Sequence, residues 1–361
     1  MLKNIKSNKI LNIIFGKLLK RIQLNVLKYN KQMINRLKIT KKDFEDFIIL
    51  KKLNQKFKLN IKDLDITELN ISEKKFQDKI SNFLEKIDFK RLNYLNLKEN
   101  IISDIIISQK INFENLKIIQ LDNNKISDIN LNNILNFNEL KELNLKNNNF
   151  SDIYILETIN FDKLEKLNLE NNKISDINLN NVLNFKKLKE LNLKNNNISD
   201  IEINGEIILE KLETLYLNDN DISDIDLKDV LNFQTLKEFI LNNNKISDLN
   251  ISGKINFKNT QMMYLNNNNI SDIDISEKIN LEKLEKLILK KNKISDIDLN
   301  DKINFGELKE LVLNNNKITD IEISEKIKLE KLQILLMNEN KIDKNILKML
   351  SSIKIMDKLK N

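Results

Sequence analysis

A leucine recurs every 24 residues with no insertion or deletion, at Leu92, Leu116, Leu140, Leu164, Leu188, Leu212, Leu236, Leu284, Leu308 and Leu332, with Thr260 in the eighth place. Around it eleven units repeat one phrase, typified by LKELNLKNNNISDI from Leu188 to Ile201. A unit this short cannot bury an apolar face by itself, so neighbouring units must stack and share one continuous core. That requirement argues against two ordinary globular domains, which 361 residues would otherwise accommodate. Counting positions from the recurring residue, apolar side chains at 4 and 6 alternate as in a strand with one buried face. The rest of each unit must return the chain, so each unit reads as one coil of a solenoid.

The shared pattern, L-x-x-L-x-L-x-x-N-x-I-[ST]-D-I-x-[LI], resembles the leucine-rich repeat family from Leu92 to about Ile342. The resemblance implies an α/β-type solenoid: a horseshoe with a parallel concave β-sheet, short convex segments and, here, a small helical N-terminal head. It also implies that side chains at positions 3, 5 and 7 face outward from the concave sheet, where a partner would be met.

Position 9 is asparagine in every unit: Asn100, Asn124, Asn148, Asn172, Asn196, Asn220, Asn244, Asn268, Asn292, Asn316 and Asn340. A chain turning out of a strand leaves backbone groups unpaired inside the coil, and a carboxamide can donate and accept to satisfy them. Of the asparagines in Asn195-Asn196-Asn197, only the middle one is given an architectural role on this argument. Position 22 is most often aromatic, as in Phe113, Phe137, Phe161, Phe185, Phe233, Phe257 and Phe305, which reads as a stacked spine behind the sheet.

The ISDI tetrad places an aspartate on successive coils, among them Asp176, Asp200, Asp296 and Asp320. Calcium would need six or more oxygens around one ion. One carboxylate per coil does not supply them, and Ser-Asp is read instead as a turn former. Cysteine and histidine are absent from the chain, which removes thiolate nucleophiles, the usual general base and the usual zinc ligands. Four glycines, Gly16, Gly205, Gly253 and Gly306, form no phosphate-cradling loop. Catalytic residues, cofactors, metals and a small-molecule substrate are therefore not expected.

Outside the repeats, residues 1–60 read as a basic helical head, with sixteen lysines and arginines against three acidic residues. Residues 61–91 form a degenerate first repeat, 92–343 the tandem repeats, and 344–361 a helical cap over the last apolar edge. Within the head, the apolar run of Ile13, Ile14, Phe15 and Leu18 is similar to an F-box ahead of leucine-rich repeats. That similarity implies a substrate-recognition subunit of a ubiquitin ligase as an alternative function. NNKISDI is similar to internalin-type repeats, which implies a bacterial adhesin as a further alternative, although the proline-containing 22-residue unit of that family is missing. No secretory signal or membrane-spanning run is evident, so a cytoplasmic location is expected.

Charges at positions 2 and 3 reverse order at each step: Lys141-Glu142, Glu165-Lys166, Lys189-Glu190. In a parallel, in-register sheet, opposite charges then stand side by side. A surface neutralised in this way is a poor match for nucleic acid. Unit eight interrupts the scheme with Thr260-Gln261-Met262-Met263, and position 5 changes over the same region. There Asn96, Gln120, Asn144, Asn168 and Asn192 give way to Tyr216, Ile240, Tyr264, Ile288, Val312 and Leu336. Six exposed apolar residues on adjacent strands, with Met262 beside them, would form a stripe on the order of several hundred Å². This row is the candidate contact surface for a protein or peptide, and the expected function is a non-enzymatic interaction scaffold.

Overall fold

The structure is a computed structural model, and it describes residues 68–70, 93–106, 114–130, 137–152, 161–178, 185–202, 209–223, 235–247, 257–272, 281–299, 305–323 and 329–343. The basic head with its F-box-like run, most of the degenerate first repeat, the convex segments and the C-terminal cap lie outside those residues.

Positions 3 to 5 of each of the eleven units form a three-residue strand, and these, with Glu68–Asn70 ahead of them, make one twelve-stranded parallel sheet in sequence order. Register is kept at a 24-residue step, with Glu190 opposite Thr214, Leu191 opposite Leu215 and Asn192 opposite Tyr216. The first strand, Glu68–Asn70, is the exception: Glu68 lies opposite Tyr94, 26 positions on. Such constancy follows from the alternation itself, because a one-residue slip would turn every position-4 side chain out of the core. The leucines at positions 1, 4 and 6 are buried throughout the described coils, and so is position 11 from Ile102 to Ile318, with Phe150 there in unit three; Ile342 in the last unit is half-buried. Their stacking produces a single core that runs the length of the solenoid.

Behind the sheet, Phe137, Phe161 and Phe185 stack with ring centroids 6.4 and 5.5 Å apart. Phe257 stacks instead on Phe239 at 5.7 Å, because unit seven carries phenylalanine at position 4. Phe113 and Phe233 lie outside the described residues. Thr260 occupies a leucine place at 0% exposure, and its hydroxyl donates to the Leu236 carbonyl at 3.1 Å, so this buried polar group is satisfied.

Each position-9 asparagine from Asn124 to Asn340 joins two coils. The Nδ2 of Asn196 donates to Leu193 O at 2.9 Å in its own coil and to Leu169 O at 3.1 Å in the preceding one. Its Oδ1 accepts from Ile174 N, also in the preceding coil, at 3.1 Å. Asn220 repeats the arrangement with Leu217 O, Leu193 O and Ile198 N. Asn100, at the start of the ladder, donates to Leu97 O at 2.8 Å.

Two local expectations are corrected. The residue before the ladder asparagine is also architectural, since position 8 lies in the left-handed region in all eleven units, with φ 53° at Asn195 and 58° at Asn171. Asparagine tolerates this region better than most residues. The amides there form their own exposed ladder, Asn195 Nδ2 donating to Asn171 Oδ1 at 2.6 Å and Asn171 Nδ2 to Asn147 Oδ1 at 2.5 Å. Second, the ISDI tetrad enters a strand rather than a turn. Asp176–Asn178 pairs in parallel with Asp200–Glu202, Asp296–Leu299 with Asp320–Ile323, and Asp104–Ile106 with Asp128–Asn130. The physical reason is the alternation in D-I-x-[LI]: Asp296 and Asp320 are exposed while Ile297 and Ile321 are buried. Among the described residues there is no helix long and apolar enough to cross a membrane.

Candidate protein-interaction surface

Parallel pairing brings Tyr216, Ile240, Tyr264, Ile288, Val312 and Leu336 into one row on adjacent strands. Strand spacing of about 4.8 Å sets the interval between neighbouring side chains. The expectation that all six are exposed does not hold. Ile288 and Val312 are only 8% and 7% exposed, while Tyr216, Ile240, Tyr264 and Leu336 are half-buried. At this spacing branched side chains cover one another, so the accessible part of the row is concentrated around its two tyrosines. Met262 lies on the same strand as Tyr264, and the Tyr264 hydroxyl is 3.2 Å from its sulfur.

The other half of the row is polar because its asparagines cap their own strands. Asn144 Oδ1 accepts from Lys146 N at 3.1 Å, Asn168 Oδ1 from Glu170 N at 3.0 Å and Asn192 Oδ1 from Lys194 N at 3.0 Å. Tyrosine or isoleucine at position 5 cannot accept that bond. In the apolar half position 7 takes over: Asn242 Oδ1 accepts from Asn266 N at 2.8 Å and Asn266 Oδ1 from Lys290 N at 3.1 Å, each one coil on. The sequence carries this signal as a paired change, since Lys194 and Glu170 at position 7 give way to Asn218, Asn242 and Asn266 where position 5 turns apolar.

Ion pairs run along the edge of the face. Glu165 is held between Lys189 at 2.7 Å and Lys141 at 3.3 Å, and Glu190 meets Lys166 at 2.9 Å. The Lys189 hydrogen bond, with Lys141 behind it, keeps the Glu165 carboxyl below its ordinary range, against the opposing effect of burial. Beyond unit eight the pairs resume with Lys286 on Glu310 at 2.9 Å and Lys309 on Glu285 at 2.7 Å. Lys286 also stands 5.8 Å from the Tyr264 ring centroid, and Glu310 holds its ammonium above the usual lysine range. Burial, then the charges of Glu190 and Glu238, push the Tyr216 hydroxyl up, so it is a neutral donor at physiological pH. Among the described residues no three acidic side chains gather in a way that could hold a metal ion.

Comparison with known proteins agrees with this architecture. A family model described as "Leucine rich repeat" matches residues 162–222. An internalin from Listeria monocytogenes is similar at 26% identity and TM-score 0.50, over 87% of this chain and 94% of that one. The Drosophila Toll–Spatzle complex is similar at 18% identity and TM-score 0.53, over 70% of this chain and 36% of that chain. An octameric complex of Latrophilin 3, Unc5D and FLRT2 is similar at 17% identity and TM-score 0.51, over 77% and 80%. No curated protein matches by sequence. The chain is built of leucine-rich repeats, and its fold is the parallel-sheet solenoid of such proteins.

Proposed function

We propose that this leucine-rich repeat solenoid is a non-enzymatic scaffold that holds a protein or peptide on its concave face, over coils six to nine. The observation that supports the reading is the change in that face at Tyr216: a self-capped asparagine row gives way to half-buried aromatic and aliphatic side chains, with position-7 asparagines supplying the bonds the row gave up. Tyrosine and methionine suit recognition, because they offer large amphipathic or adaptable surface. The tyrosines and Met262 form the centre of this site, Ile240 its floor, and Ile288, Val312 and Leu336 its supporting edge.

Replacement of Tyr264 by Asp tests the reading. Position 5 is half-buried there, so the fold tolerates the change, whereas Asp at buried Ile288 would damage the core. Capture of a partner from the native cell by the wild-type chain, lost with Tyr264→Asp at unchanged circular dichroism, is the expected outcome; equal capture by both would sink the assignment.

A second reading, an internalin-like protein displayed at a cell surface, is favoured by the 26% identity to the Listeria internalin over most of both chains. The scaffold reading carries a cytoplasmic location with it. Cell fractionation separates the two, since surface accessibility to added protease fits only the second.

A further inference from the structure

Three of the carboxylates at position 3 have a partner on the preceding coil. Glu142 accepts from Gln120 Nε2 at 2.9 Å, Glu190 meets Lys166 at 2.9 Å and Glu310 meets Lys286 at 2.9 Å. Glu238 departs from this. Its register neighbours are Thr214 and Met262, neither of them cationic, and its carboxylate has no ion pair among the described residues. The surrounding lysines are committed elsewhere: Lys237 to Glu213 at 2.6 Å, Lys166 to Glu190 and Lys286 to Glu310. The exposed Lys290 stands two coils away, past the asparagine row of Asn242 and Asn266.

Glu238 is also half-buried and shares the outward face of its strand with Ile240, while Tyr216 and Tyr264 flank Ile240 on either side. A carboxylate partly removed from water without a counter-charge is unfavourable in the free protein and favours whatever brings one. Two tyrosine rings beside it add faces that attract the same cation. The apolar row at position 5 would cover the neighbouring aliphatic part of the occupant.

Resting on the scaffold reading above, we infer that Glu238 determines specificity on this surface, and that the occupant is a protein segment presenting a lysine or arginine among apolar side chains. Charge complementarity carries the assignment. Among the described tandem coils, the position-3 carboxylate that the repeat leaves without a cation on either neighbouring strand lies within the one region of the concave face whose position-5 row is aromatic and aliphatic.

Random twelve-residue peptides displayed on phage, selected against the full chain, test it. Wild-type protein should enrich peptides with Lys or Arg flanked by Leu, Ile, Phe or Tyr. A synthetic copy of a selected peptide should bind Glu238→Gln roughly 10- to 100-fold more weakly, the range of one charge-assisted hydrogen bond. Glu238→Lys should bind more weakly still. Replacing the basic residue of the peptide by alanine should cost as much on wild type and little on Glu238→Gln, as a coupled pair requires. Glutamine keeps the shape and removes an uncompensated charge, so the fold is retained, which a thermal midpoint checks. Peptides that need Tyr264 but show no basic preference, or an affinity unchanged in Glu238→Gln, would overturn the inference and leave the scaffold reading standing. Selection of no peptides, or of peptides indifferent to Tyr264→Asp, would overturn both. Self-association abolished by Tyr264→Asp would place a second copy on the face and equally overturn it.

Discussion

The carboxamide of Asn196 donates to Leu169 O in the coil before it at 3.1 Å while its Oδ1 takes the Ile174 N–H of that same coil. Removing the side chain leaves the buried Ile174 N–H of that neighbouring coil without its acceptor, and takes one of two asparagine donors from each of Leu169 O and Leu193 O. Asn196→Ala is therefore expected to destabilise by about 1 to 3 kcal/mol. Asn197→Ala, one residue on and exposed, should stay within about 0.5 kcal/mol. Guanidinium unfolding of both variants checks the contrast, and equal losses would refute it.

Lys291 occupies the left-handed position 8 at φ 58°, where most other coils have asparagine. A side chain ill suited to that region costs roughly 1 to 2 kcal/mol relative to one that tolerates it. Lys291→Asn is expected to stabilise by about 0.5 to 1 kcal/mol, read as a raised denaturation midpoint at an unchanged slope. Lys291→Val should do the opposite, because a β-branched residue is the least tolerant of positive φ.

Phe161, at 0% exposure, stacks between Phe137 and Phe185. Its replacement by alanine removes packing against both coils, and a loss of about 3 to 5 kcal/mol is expected. Because each coil contacts only its neighbours, the unfolding transition should also broaden as the array splits at the weakened coil. A sharp transition, as steep as that of the wild type, would count against this description.

Glu165 has a depressed carboxyl pKa, caused first by its hydrogen bond to Lys189 and then by Lys141. Its contribution to stability is present above the pKa of an unfolded glutamate, about 4.3, and is lost as pH falls through the lower folded value. Glu165→Gln should accordingly flatten the fall in stability below that pH, and 1 M salt should reduce the difference at pH 7. The pair is partly exposed, so the whole effect stays under about 1 kcal/mol. Chemical denaturation across pH values from 3 to 7 measures it.

Much of the solenoid is legible in the sequence because the repeat reports burial directly: leucines at positions 1, 4 and 6 and the position-11 isoleucine occupy the core. Two features were less legible. Positive φ at position 8 leaves only a faint mark, since Glu99, Lys291 and Glu339 stand there beside the asparagines. The second strand beginning at the ISDI aspartate was obscured by the turn preference of Ser-Asp, which gave way to the alternation that follows it. At the candidate surface, periodicity located the position-5 row, but side-chain exposure depends on how neighbours cover one another. Ile288 and Val312 look like Ile240 in sequence and differ from it in burial.

A constant 24-residue register makes the concave face addressable. Within the tandem units, adding 24 to a residue number moves one strand along the sheet at the same register position, as from Tyr216 to Ile240 and on to Tyr264. One coil could thus be deleted, duplicated or exchanged for another, shifting everything beyond it by about 4.8 Å per coil while each remaining junction keeps the same kind of contact. Evolution of such a surface can proceed by splicing as readily as by point substitution, and an engineer could transplant coils six to eight as a cassette.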